Sequence, residues 1–232
     1  LVRLYLHSYQ VTAKPLYRRI VEETLDYVLR EMPDPAGGFY SAQDADSEGV
    51  EGKFFVWSDR EIEEVLGPDD GALVGGYFGV TEAGNFEGHN ILNIPKEPET
   101  LAKELGMSVE SLEATVAQAK VKLHSVRRER TWPLRDEKVL TAWNGMAMAS
   151  LAEASAVLGR RDFLEAAEAN ASFLLDTLRQ DGRLLRTYRD GQAKLKGYLE
   201  DYAFLADGLL ALYEATFDPR WLDDAISLAD GM

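Results

Sequence analysis

The sequence predicts a mainly α fold built from repeated helical hairpins, with a small β-hairpin insertion. Three observations carry this. Three seven-residue stretches, VTAKPLY (11–17), LGRRDFL (158–164) and TFDPRWL (216–222), align without gaps, and each stands between two apolar helical segments. A polar turn between amphipathic helices is an αα-hairpin, and its recurrence points to a repeat architecture. Between the first and second turns lies a different region, rich in glycine and short aromatic runs. Nothing is low in complexity and no linker is evident, so residues 1–232 read as part of a single domain.

Leu4, Leu151 and Leu209 occupy equivalent places before the turns, and Ile20, Ala167 and Ala225 after them. Pro15 and Pro219 suit the first position of a helix. In the inserted region, GGFYSA and KFFVW read as two short strands across an acidic turn. Ser58 and Glu61 form a capping box, opening a helix that Gly67 closes. Residues 77–95 are turns and short strand, punctuated by Gly79, Gly84, Gly88 and Pro95. Ser108 caps a charged helix running to about Glu129. Pro133 then ends it, Asp136 is expected to cap the next helix, and Lys138 and Trp143 fall at that helix's start. Glu200 and Asp201 open the third hairpin, where acids complement the helix dipole.

Forty acidic residues against 25 basic ones give a net charge of −15, which argues against nucleic acid or an anionic membrane as partner. With no cysteine, disulfides, thiolate metal sites and thiol catalysis are excluded. No apolar run approaches the ~18 residues of a membrane span, and the N-terminus lacks a signal-peptide pattern. A cytoplasmic location is expected, with no cofactor. The chain lacks an initiator Met and LDDAISLADGM stops while still helical in pattern, so it reads as a piece of a longer protein.

Three segments combine acids with aromatics. In DADSEG, Asp44, Asp46 and Glu48 sit where an EF-hand would hold its first ligands, but Phe55 stands where the bidentate Glu is needed. A calcium loop of another kind, a solvated acidic turn and an active-site rim all remain as readings, and no metal site is assigned. GNFEGHN (84–90) places Glu87 and His89 in a glycine-flanked loop; the bland reading is a tight turn whose Asn85 and Asn90 cap local backbone. His7 and His124 lie in helical patterns and read as structural or exposed. In RTWPLRDEKVLTAWNG (130–145), Asp136, Lys138, Trp143 and Asn144 set mixed charge beside an indole, as a polar ligand requires; alternatively Trp143 is core and the charges are surface. GYLEDYAF (197–204) sets Glu200 and Asp201 between Tyr198 and Tyr202.

GGFYSAQDADSEG, EGKFFVW, YFGVTEAGNFEG, RDEKVLTAWNG and YLEDYAFLADGLLALYEAT together resemble the YyaL-type, spermatogenesis-associated thioredoxin-domain family, in order and over nearly the whole chain. The resemblance implies the (α/α) toroid portion of such a protein, similar to six-hairpin glycosidases and N-acylglucosamine 2-epimerases, here incomplete. It implies that the thioredoxin-like domain is absent from these residues and is a partner in the full-length chain. Where the family's segment carries a histidine and a second aspartate, this chain has Leu134 and Glu137. A paired-histidine epimerase is therefore hard to assemble, with His89 alone well placed, and carboxylate chemistry fits better.

The expected function is a carbohydrate-active or carbohydrate-binding domain taking a small-molecule or oligosaccharide ligand. The catalytic carboxylates would be Asp44 or Asp46 on one side and Asp136 or Asp201 on the other. Trp143 and Tyr202 would stack on sugar, while Glu87, His89, Lys138 and Asn144 would contact its hydroxyls. The alternative is a non-catalytic interaction domain presenting partners to the thioredoxin-like domain.

Overall fold

A computed structural model describes residues 1–232. The chain opens with α1 (Val2–Thr12) and α2 (Pro15–Glu31), then passes through β1 (Tyr40–Gln43), β2 (Asp46–Ser47) and β3 (Val50–Glu51). Four helices follow: α3 (Asp59–Leu66), α4 (Pro68–Tyr77), α5 (Pro98–Leu105) and α6 (Val109–Arg128). β4 (Arg135–Leu140) leads into α7 (Thr141–Leu158) and α8 (Arg161–Thr177). β5 (Arg179–Gln180), β6 (Arg183–Arg189) and β7 (Gln192–Lys196) precede α9 (Leu199–Thr216) and α10 (Pro219–Asp230). These elements fall into two compact units, one of residues 1–42 with 135–232, the other of residues 43–134.

In the first unit the three recurring turns are three copies of one join. Each is two residues long, the first left-handed and the second extended: Ala13 (φ 55°) then Lys14, Gly159 (φ 72°) then Arg160, Phe217 (φ 57°) then Asp218. The left-handed residue lets its N–H close the last turn onto Tyr9, Ser155 and Tyr213 respectively. The helices before the joins lie side by side. Arg3 on α1 reaches Glu153 of α7 at 2.6 Å and Asp207 of α9 at 2.7 Å. His7, exposed on α1, shares Glu153 at 3.0 Å. With α2, α8 and α10 folded back as second helices, this is the two-layered arrangement of an (α/α) toroid, here an arc of three hairpins.

The ungapped alignment is one residue out in its first copy, because Ala13, not Thr12, takes the left-handed place. The residue matching Ala167 and Ala225 is therefore Val21 rather than Ile20, and all three are buried. A shift of one residue turns a helix by about 100°. That is why Leu4 is exposed while Leu151 and Leu209 are buried.

α7 and α9 approach until their backbones nearly touch. A Cβ at Gly145 would lie 2.4 Å from the Phe204 carbonyl oxygen, and one at Gly208 would lie 2.7 Å from that of Gly145. The core around this crossing takes Met148, Leu151, Phe163, Leu174, Leu205, Leu209 and Trp221.

A five-stranded sheet runs β1-β4-β6-β5, with β7 on β6. Two of its joins are Asp-Gly dipeptides, Asp181-Gly182 (φ 50°, 75°) and Asp190-Gly191 (φ 52°, 75°), between directly paired residues. Positive φ at both central positions gives the turn whose twist suits a two-residue hairpin. β4 corrects the expected helix start at Asp136: the segment is a strand between β1 and β6, and Asp136 accepts from the Lys138 N–H at 3.3 Å instead of capping a helix.

In the second unit the acidic turn is itself the hairpin. β2 pairs with β3 through Asp46↔Glu51 and Ser47↔Val50, closed by Glu48-Gly49 (φ 52°, 75°). KFFVW, expected as a strand, is irregular after the positive φ of Gly52. Its carbonyls still find donors, because Arg130 gives Nη1 to Phe54 O at 3.1 Å and Val56 O at 2.7 Å, with its guanidinium 4.1 Å from the Trp57 ring. The Ser58–Glu61 capping box and the Ser108 cap form as expected, and Gly67 closes α3. The core of this unit includes Trp57, Ile62, Val74, Phe78, Leu112 and Val116. No helix of the chain is long and apolar enough to cross a membrane.

Candidate functional site

A recess lies within residues 43–134. It has a volume of about 530 Å³ and is lined by Glu48, Glu51, Lys53, Phe54, Phe86, Glu87, His89 and Arg130 among others. That size is ordinary for a small-molecule site. Two Glu-Gly turns present its acids. One is Glu48-Gly49, described above. The other is Glu87-Gly88 (φ 47°, 79°), where Phe86 and His89 exchange both backbone hydrogen bonds at 2.9 and 2.8 Å. A glutamate held left-handed is sparsely populated for a non-glycine residue.

Asparagines fix the second turn. Asn85 accepts from the Ile91 N–H at 2.8 Å and donates to the Ile91 carbonyl at 3.0 Å. Buried Asn90 accepts from Thr81 N and donates to Trp57 O and Thr81 O. The cavity wall is thus rigid, while Glu87 and His89 are exposed on it. Lys53 pairs with Glu48 at 2.8 Å and Arg130 with Glu61 at 3.2 Å. Burial pushes the Arg130 pKa down from its usual value, partly offset by Glu61. Asp44 and Asp46 belong to this unit too and are exposed, with Asp44 Oδ1 accepting from the Asp46 N–H at 3.2 Å.

The remaining predicted residues belong to the other unit. Asp136 pairs with Lys138 at 3.2 Å. Burial works against its charge, but hydrogen bonds from Lys138, the Lys138 charge and Ser41 outweigh that and hold the carboxyl below its usual range. Trp143, in the first turn of α7, is half exposed and leaves its indole face available.

Asn144, Asp201 and Tyr202 are buried, and their polar atoms have partners. Asn144 Oδ1 accepts from Phe39 N (2.7 Å) and from Asn170 Nδ2 (2.8 Å), while its Nδ2 donates to Phe39 O and Leu140 O, both at 3.0 Å. Replacing Asn144 by alanine strands the Phe39 N–H and is expected to cost about 2–3 kcal/mol, the penalty for unmet buried polar groups. Urea melts check this; a change below about 0.5 kcal/mol would contradict the assignment. Tyr202 accepts from Leu184 N at 3.0 Å.

Asp201 serves two helices. Its Oδ2 accepts from Tyr198 N at 2.8 Å, closing α9's own cap. Its Oδ1 accepts from Ala142 N at 3.1 Å, in the first turn of α7, which has no side-chain cap of its own. Arg186 Nη1 donates to Asp201 Oδ2 at 3.0 Å and to Glu200 at 2.7 Å, and stacks 4.5 Å from the Tyr198 ring. Sequence reasoning did not single out Arg186, Arg130 or β5–β7; the two Asp-Gly dipeptides were the signal for those strands.

No family model matches the chain. It is similar to human Spermatogenesis-associated protein 20, 33% identical over 261 residues, covering 97% of this chain and 33% of that protein. The mouse protein of the same name is 32% identical over 263 residues, again covering 33% of its length. The chain thus spans about a third of the length of the curated relatives it matches. Among solved structures, cellobiose 2-epimerase from Bacillus thermoamylovorans B4167 superposes with a TM-score of 0.40 at 12% identity, covering 92% of this chain and 53% of that one. A sugar epimerase from a ruminal bacterium gives 0.38 at 14% identity, covering 99% and 72%. Overlaps this loose leave the architecture to rest on the three hairpins themselves.

Proposed function

We propose that the chain is a carbohydrate-binding helical domain and that the recess in residues 43–134 holds the sugar. The observation that carries this is one cavity in which the half-buried Phe86 ring meets carboxylates and a histidine on rigid turns. Aromatic faces suit sugar C–H groups, and carboxylates accept from hydroxyls. Glu87 and His89 orient the ligand. The finer form of the proposal is acid/base action on the sugar by carboxylates; of the acids predicted for it, Asp44 and Asp46 lie in the same unit as the recess. Asp201 positions helices.

The test is titration calorimetry of the whole chain against aldoses and oligosaccharides, with Glu87→Gln and His89→Ala beside it. Each variant is expected to weaken binding about tenfold, equivalent to ~1.4 kcal/mol, without moving the melting temperature. Product analysis by NMR then separates binding from turnover. A folded protein that binds no sugar at millimolar concentration overturns the proposal and leaves the interaction-domain reading, with the thioredoxin-like domain as partner.

A further inference from the structure

In a chain of net charge −15, residues 183–196 carry five basic side chains and one acid. Strand register decides where they point. Val139 lies opposite Tyr188, which sets Lys138 opposite Arg189; Arg189 lies opposite Gln192, and Thr187 opposite Lys194. Directly opposed residues share a face, and alternate residues along a strand do too. Lys138, Thr187, Arg189, Gln192 and Lys194 therefore stand on one side. Val139, Leu184 and Tyr188 turn to the other and pack into the core.

The charged side holds a recess of about 330 Å³, lined by Lys138, Thr187, Arg189, Asp190, Gln192 and Lys194. Its lining sets three cations and an amide against Asp190, with Asp136 on the same side two residues along β4 from Lys138. Arg189 meets Asp190 at 3.2 Å and Lys138 meets Asp136 at 3.2 Å, while Lys194 has no carboxylate partner. A guanidinium fork, two ammonium groups and an amide donor match the oxygens of a carboxylate or phosphate.

We propose that this recess is an anion site that takes the carboxylate or phosphate group of a small organic acid or phosphate ester. The proposal stands apart from the sugar cavity, which belongs to other residues. Two-dimensional amide NMR of the whole chain at low ionic strength tests it, with inorganic phosphate and glucuronate as probes and uncharged glucose as control. Either anion should shift the Lys138, Thr187 and Lys194 amides saturably, and the arm that binds more tightly identifies the group. Lys138→Ala/Lys194→Ala should raise the Kd at least about tenfold, and Lys194→Glu should abolish the shifts, both with unchanged melting. Glu87→Gln should leave them intact, so a failed sugar cavity is told apart from a failed anion site. No saturable shift with either anion, or a double variant that binds as the parent does, overturns the proposal.

Discussion

Asp201→Ala is expected to lower stability by about 3 kcal/mol, the largest single loss in the molecule that leaves the hydrophobic core untouched. Two backbone N–H groups, at Ala142 and Tyr198, lose a charged acceptor together. Each begins a different helix, so neither can recover a partner without the other end moving. Arg186 is not stranded, because Glu200 still holds it at 2.7 Å, and the loss therefore falls on the helix starts. Asp201→Asn keeps the size and one acceptor and is expected to lose roughly half as much. Urea denaturation measures the loss, and hydrogen exchange should show the Ala142 and Tyr198 amides opening first. Equal stability of the alanine variant would mean that the two caps are dispensable.

The second large effect is at the crossing of α7 and α9. Alanine ordinarily improves on glycine within a helix by about 1 kcal/mol. At Gly145 the sign reverses. The new Cβ would sit 2.4 Å from Phe204 O, 2.5 Å from Phe204 C and 2.7 Å from Leu205 N, all backbone atoms that cannot rotate aside. The helices must separate, and Gly145→Ala is expected to destabilise by about 2–3 kcal/mol. Gly76 supplies the control: it is exposed in α4, and a Cβ there meets nothing within 4 Å. Gly76→Ala should therefore stabilise by about 0.5–1 kcal/mol. Thermal melts of the two variants should move in opposite directions; a shared direction would refute the close-contact account.

The helical part was legible because its signals are local. The three joins, the Ser58–Glu61 box and the Ser108 cap each depend on a few consecutive residues. Errors arose where distant partners decide. KFFVW has the composition of a strand, but two of its carbonyls are met by Arg130, just beyond α6, and only Trp57 makes a β-bridge, to Asn90. RDEKVL read as a cap and a helix start because its strand partners, β1 and β6, lie far away in sequence. The same holds for the site. Glu87 and His89 were visible as exposed chemistry in a glycine-flanked loop. Asp201 and Asn144 were singled out as polar residues beside aromatics, yet nothing local reveals that one carboxylate caps two helices or that one amide fastens Phe39.

The β1–β4 pairing spans the whole of residues 43–134, and within that stretch the Asp44 N–H meets the Leu134 carbonyl at 2.7 Å. The guest's two ends are thus tied together by the guest itself. During synthesis it is complete before α7 through α10 have been made, and domains folding as units do so from the N-terminal side. Once folded, it presents its host with a short bridge in place of a long open loop, and loop-closure entropy grows with loop length. Closure of the host sheet is therefore expected to carry a reduced entropic cost. A defect in the guest's core should then appear as slow folding of hairpins that contain no mutation.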